Sequence, residues 1–154
     1  FRRVLFRSAS EFVLGVIDQP ILRDRWLGAD GHGTMFNGKP VHTRQCSALS
    51  DAVVFLGKPY NADIAKLHPR VKWARYGGDC YGYGLLACGF VDGVVDADLD
   101  DHDFVAVEPV VRNAGGAVTD WQGQALRLGS GDEVIAVGDP RLLEPVLNHL
   151  GKKS

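Results

Sequence analysis

Residues 52–57, AVVFLG, form an unbroken apolar run of strand length. A strand with one wet face alternates apolar and polar residues, so a run without polar positions needs cover on both faces. Downstream, Asn61 to His68 reads as a helix stopped by Pro69, because proline disfavours helical geometry in the residue before it. Lys72 to Tyr76 reads as a strand, Gly77-Gly78 as a turn, Asp79 to Gly89 as a glycine-rich helix and Val94 to Leu99 as a strand. A helix over Asp103 to Asn113 ends at Gly115-Gly116 in the C-cap position. Strands near 117–121 and 133–137 and a helix from Arg141 to Leu150 complete the series. Alternating strands and helices predict an α/β layer architecture. One local rule is broken: Pro109, six residues past Asp103, cannot donate to the Val105 carbonyl and its ring crowds that turn. A kink, or a helix starting after Asp103, is expected.

Upstream the period changes. EFVLGVI (11–17), Asp24 to Ala29 and Gly33 to Phe36 read as short strands. Asn37-Gly38 is a strong two-residue hairpin signal, since both positions of a type I′ turn need φ > 0. Lys39 to Thr43 then returns antiparallel. Residues 9–50 are expected to be the remnant of an antiparallel-sheet domain, and 51–150 an α/β domain. The first eight residues, FRRVLFRS, stand apart. The codons TTC AGA CGT GTG CTC TTC CGA TCT encode them in order and resemble the tail of a sequencing-library adapter. Residues 1–8 are therefore expected to be translated adapter, with native sequence from Ala9, and are left out of the fold reading as an expression scar would be.

Composition excludes several functions. With 45% hydrophobic and 23% charged residues and a net charge of −2, the chain suits a globular core and carries no basic stripe for nucleic acid. No apolar run approaches the ~20 residues of a membrane helix. The three cysteines, Cys46, Cys80 and Cys88, form no CxxC pair and fit a reducing compartment, with the cytoplasm expected.

Two stretches can carry chemistry. VVDADLDDHD (94–103) holds five aspartates from Asp96 onward, and strand alternation puts Asp96, Asp98 and Asp100 on one face. Carboxylates aligned in this way repel unless water or a cation screens them. Solvation is the ordinary outcome, and a hard ion such as magnesium is the other. An EF-hand fails, because Asp101 stands where glycine is needed and Val107 where a bidentate glutamate is needed. The second stretch is ARYGGDCYGYGLLACG (74–89). Its Gly77-Gly78 turn before a helix can offer backbone N–H groups to an anion, or can simply allow close packing. Gly82, Gly84 and Ala87 also fit G-x-G-x-x-A, which raises a dinucleotide-binding oxidoreductase as an alternative. Against it, Gly82 lies inside the helix, and KWARY is too polar for a central parallel strand. The five histidines show no paired metal spacing, and there is no GxSxG elbow.

Three segments, taken in order, resemble the inositol monophosphatase superfamily: GVIDQPILRDRWLGADGHGTMFNGKPV (15–41), RYGGDCYGYGLLACGFVDGVVDADL (75–99) and HDFVAVEPVVRNAGGAVTDWQG (102–123). GGDCYGY and AGGAVTDWQG look most like the histidinol-phosphate phosphatase branch. The resemblance implies a mixed sheet flanked by helices beside an antiparallel sheet, a Mg2+ cofactor and a small phosphorylated substrate such as histidinol phosphate. An inositol phosphate is the alternative substrate, a non-catalytic relative the alternative role, and a homodimer is open for the intact protein. Carried over, Asp103 matches a metal-coordinating aspartate and Asp96 a substrate-contacting acid that is usually glutamate. Gly78, Asp79 and Cys80 match the turn that faces the substrate. His102 departs from the usual aromatic residue before the metal aspartate, and Phe104 and Val105 from the usual small residues after it. The D-P-[IL]-D-G-T metal motif occurs nowhere in this chain. The chain is accordingly expected to be the C-terminal part of a magnesium-dependent phosphomonoesterase, inactive by itself.

Overall fold

The computed structural model describes residues 2–8 and 11–150. Phe1, Ala9 and Ser10, on which part of the adapter reading and its junction fall, lie outside the described residues. The first sheet is an antiparallel meander of β1 (Arg2–Ser8), β2 (Glu11–Gln19), β3 (Asp24–Ala29), β4 (Gly33–Phe36) and β5 (Lys39–Val41) in sequence order. Between β4 and β5, Asn37 and Gly38 take φ 48° and 77°, as the hairpin signal requires. The Asn37 Oδ1 also accepts the Arg25 N–H at 2.9 Å, which ties the turn to β3. Arg2–Ser8, left out of the fold on sequence, instead pairs with β2 from Arg2↔Asp18 to Ser8↔Glu11, with a slip between Phe6 and Arg7. Ladder bonds use the main chain, so any extended segment free of proline and glycine can complete this edge.

The second sheet contains β6 (Val53–Leu56), β7 (Trp73–Tyr76), β8 (Gly93–Asp96), β9 (Ala117–Thr119) and β10 (Val134–Val137), in the order β7-β6-β8-β10-β9. β6 runs parallel to β7 and β8, while β10 is antiparallel to β8 and β9, so the sheet is mixed. Among the described residues five helices accompany it: α1 (Ala62–Leu67), α2 (Asp79–Ala87), α3 (Asp101–Phe104), α4 (Val107–Arg112) and α5 (Leu143–Leu150). Asn61 caps α1 by accepting the Asp63 and Ile64 N–H groups, and a 3-10 turn at His68–Arg70 follows where Pro69 forbids another helical turn.

The apolar run of β6 is covered on both faces. One core joins Phe55, Val94 and Ala136 to α2 and α4, and through them to Ile17 and Trp26 of the first sheet. The other joins Val54, Leu56, Val95 and Ile135 to Ile64, Leu67, Val146 and Leu150 of α1 and α5. The result is four layers: sheet, helices, sheet, helices. The helix expected over 103–113 is interrupted, as Pro109 requires; α3 stops at Phe104 and α4 starts at Val107. α4 ends in a Schellman arrangement, with the Gly116 N–H on the Val111 carbonyl at 3.1 Å and the Gly115 N–H on the Arg112 carbonyl at 3.0 Å.

α4 comes close enough to the first sheet to forbid side chains there. A Cβ at Gly28 would lie 2.5 Å from both the Pro109 carbonyl oxygen and the Val110 Cα, and one at Gly15 would collide with the Ala106 carbonyl. Because backbone forms the obstructing wall, no rotamer change relieves the clash. Gly28→Ala is expected to cost about 3 kcal/mol or more in urea denaturation, at the upper end of core overpacking. A loss under about 1 kcal/mol would mean that the contact is looser than described.

The segment between the sheets is pinned by buried acids. Asp92, fully buried, accepts the Arg44 Nε and Nη2 at 2.7 and 2.6 Å and the Val53 N–H at 2.7 Å. Asp139 accepts the Cys46 N–H at 3.0 Å, and its Arg141 guanidinium partner holds its carboxyl well below the usual carboxylate range.

Candidate active site

The parallel strands β6 and β8 end side by side, and the loops and helix starts beyond their ends form a cleft of about 440 Å³. Ligands of α/β sheets gather at the carboxyl ends of such strands. Asp96 is the last residue of β8, and its Oδ1 accepts the Ala97 N–H at 3.0 Å. It fits there because residue 57 is glycine: a Cβ would collide with the Asp96 carboxylate. Asp79 and Cys80, the first two residues of α2, form the opposing wall with Tyr83. Asp103, Asp98, Leu99 and Lys58 complete the lining.

The structure thus brings together Asp79, Cys80, Asp96 and Asp103. Gly78 stands one residue behind the wall as the N-cap of α2, with φ 113°; a Cβ there would lie 2.7 Å from the Phe55 ring. Gly77, at φ 81°, lines an adjoining recess of about 140 Å³ with Gly57, Lys58 and Asp79. Gly82 and Gly84 lie within α2, and a Cβ at Gly84 would lie 2.7 Å from the Trp26 ring. These two serve helix packing rather than a strand–helix phosphate turn, and nothing in the fold favours the dinucleotide reading.

The acidic stretch is arranged differently from the strand expected over 94–99. β8 stops at Asp96, so the alternation that aligned Asp96, Asp98 and Asp100 on one face ends there. Asp98 turns the chain at φ 55°, Asp100 is the N-cap of α3, and Asp101 faces away to accept the Gly129 N–H at 3.1 Å. Asp103 lies in the first turn of α3, where its Oδ2 accepts the Asp100 N–H at 3.0 Å. The His102 Nε2 lies 3.8 Å from the Asp103 Oδ1, and Asp100, His102 and Asp103 each offer a ligand atom within 4.8 Å of the others. Histidine at position 102 therefore places an imidazole beside the matched metal aspartate.

Burial pushes the Asp96 carboxyl up to about 6; Asp79 and Asp103 add like-charge repulsion, while the Ala97 N–H and Lys58 oppose it. For an acid, a raised folded-state pKa means that the native state holds its proton longer than the unfolded chain. Stability is therefore full below pH ~4, falls as pH rises toward 6, and stays lower above that, by up to about 3 kcal/mol. In EDTA, Asp96→Asn should be more stable than the wild type at pH 7 and gain nothing at pH 3.5. Equal urea midpoints at pH 7 would contradict the cost of burying this charge, to which the repulsion only adds. A divalent cation among these oxygens would relieve the same repulsion, and carboxylate oxygens are the donors a hard ion takes, with the His102 imidazole beside them adding nothing to that preference. The donors present fit such an ion.

Sequence motifs do not mark Lys58, which contributes the cationic side chain to the cleft lining. Its one signal is its position directly after Gly57 at the end of a buried parallel strand. Tyr83 also escapes sequence reasoning, because a tyrosine inside a helix reads as core.

Four layers with an acidic cleft at the ends of parallel strands define a layered α/β protein. Residues 6–153 match the model of the inositol monophosphatase family, and the chain belongs to that family, whose members are phosphoric monoester hydrolases. It is similar to the bifunctional phosphatase IMPL2, chloroplastic, of Arabidopsis thaliana, 38% identical over 151 residues covering 90% of this chain and 44% of the relative. It is also similar to the histidinol-phosphatase of Chlorobaculum parvum, 37% identical over 121 residues covering 72% of this chain and 46% of that one. The solved inositol monophosphatase of Zymomonas mobilis superposes with a TM-score of 0.92 at 39% identity, over 96% of this chain and 61% of that structure. The chain spans about half the length of the curated relatives it matches.

Proposed function

We propose that this chain forms the C-terminal part of a magnesium-dependent phosphomonoesterase acting on histidinol phosphate. The convergence of Asp79, Asp96 and Asp103 on one cleft beside the Gly77-Gly78 turn carries the reading. The likeness to a protein named histidinol-phosphatase supports the substrate. Asp103, with Asp96 close by, would hold the ion, which when bound supplies Lewis-acid charge to a phosphoryl oxygen and lowers the pKa of water. The start of α2 adds backbone N–H groups and the positive end of its dipole, which favour an anion at this turn. Cys80 and Tyr83, both buried, exclude water from the inner wall. An inositol phosphate is the second reading, favoured by the name of the Zymomonas relative. Three cysteines, odd in number and in no CxxC pair, suit a reducing compartment, and the cytoplasm is proposed.

The test is phosphate release. The 154-residue polypeptide should show none above background, because one matched metal aspartate with weak help binds magnesium feebly. With the unmatched part of the Arabidopsis relative joined ahead of Ala9, magnesium-dependent turnover should appear. Magnesium-dependent hydrolysis by the 154-residue polypeptide, or a silent joined protein that is folded, would overturn the reading.

A further inference from the structure

The phosphatase reading leaves a charge problem at the cleft mouth. A phosphomonoester is an anion, yet four aspartates line the cleft: Asp79, Asp96, Asp98 and Asp103. Among the described lining residues the cationic side chain is Lys58, which also borders the adjoining recess. Its ammonium reaches across from the end of β6 to the loop after β8. There it meets the Asp98 Oδ2 at 3.3 Å and the Asp98 carbonyl at 3.4 Å.

Both contacts are long, and the two side chains are 38% and 53% exposed. An ion pair of this kind, in water and at this distance, holds its partners weakly. A phosphate dianion offers an ammonium shorter, charge-assisted bonds from up to three oxygens, so it can displace a single distant carboxylate. Lys58 also sits on a four-carbon stem at a strand end, free to swing while β6 stays fixed.

Resting on the phosphatase reading, we infer that Lys58 receives the substrate's phosphate in this cleft, and that Asp98 holds it in place until the phosphate displaces it. Lys58 is thereby a binding residue for phosphate monoesters, and Asp98 a competitor for the same ammonium.

Two substitutions separate this from a purely structural bridge. If the Lys58–Asp98 pair only straps two loops together, Lys58→Met and Asp98→Asn break the same contact and change phosphate binding in the same direction. If Lys58 is the anion receptor, they act in opposite directions. Asn tolerates the left-handed backbone at position 98, and both side chains are at the surface, so both variants should fold.

The measurement is a titration of the 154-residue chain with inorganic phosphate in the presence of Mg2+, read by 31P line broadening. Lys58→Met should weaken binding about tenfold, Asp98→Asn should tighten it about two- to fivefold, and Lys58→Arg should retain most of it. Phosphate binding that is unchanged in Lys58→Met, or weakened equally by both variants, overturns the inference and leaves the phosphatase reading standing. A wild-type chain that binds no phosphate overturns the inference, while the phosphatase reading stands or falls on turnover by the joined protein.

Discussion

Asp103→Asn, in the protein completed ahead of Ala9, should lower kcat/KM for phosphomonoester hydrolysis by more than about a hundredfold. Losing a residue that only orients a metal ligand typically costs about 10- to 100-fold, and Asp103 is read as a ligand itself. Asparagine keeps a carbonyl oxygen that can still accept the Asp100 N–H, so the start of α3 should survive. The loss should therefore fall on magnesium dependence and leave the melting temperature within a few degrees. The check is initial rate against Mg2+ concentration for both proteins. A variant with wild-type rate and wild-type magnesium response would remove Asp103 from the site.

Arg44→Ala should cost about 3 kcal/mol of stability, because it strands the buried Asp92 carboxylate even though the Arg44 side chain itself is 44% exposed. Asp92 has no exposed surface, and it joins the Arg44 guanidinium to the Val53 N–H at the start of β6. Its own main chain bonds the Val53 carbonyl and the Gly138 N–H, so its side chain cannot move out to water without pulling the chain before β8 away from β6 and β10. Asp92→Asn should be milder, because the amide oxygen still accepts the Val53 N–H and no charge is left stranded. The double variant Arg44→Ala/Asp92→Asn should therefore be more stable than Arg44→Ala alone. Urea denaturation of the set gives the ordering. Arg44→Ala within about 0.5 kcal/mol of the wild type, the scale of an ordinary surface substitution, would mean the pair contributes nothing.

Local chemistry made much of this fold legible. Asn37-Gly38 specified its hairpin because no other pair suits two consecutive positive φ values as well. AVVFLG specified a strand covered on both faces, and Pro109 specified a broken helix because it removes a donor whatever its surroundings. Legibility ended where a residue's role depends on a distant neighbour. Gly15, Gly28 and Gly84 look like flexible points in the sequence, yet two serve the backbone of α4 and one the ring of Trp26. The Arg44–Asp92 pair spans 48 positions and leaves no local pattern.

The site divides in the same way. Asp79, Cys80, Asp96 and Asp103 could be marked because a family resemblance fixed their positions, and they line one cleft. Periodicity misjudged the acidic run, since alternation holds only while a strand lasts and β8 ends at Asp96. Lys58 escapes notice because one lysine after a strand has no motif; its meaning comes from the loop bearing Asp98, 40 residues away.

One comparison of rates bears on cation site and substrate together. The chain completed ahead of Ala9 with the unmatched part of the Arabidopsis relative should be assayed on histidinol phosphate and on inositol 1-phosphate, each in magnesium and in EDTA. We expect turnover in magnesium only, with kcat/KM at least about tenfold higher for histidinol phosphate, the scale of ~1.4 kcal/mol in transition-state binding. Hydrolysis that persists in EDTA would contradict the cation site built on Asp103, and an equal or reversed preference would contradict the substrate.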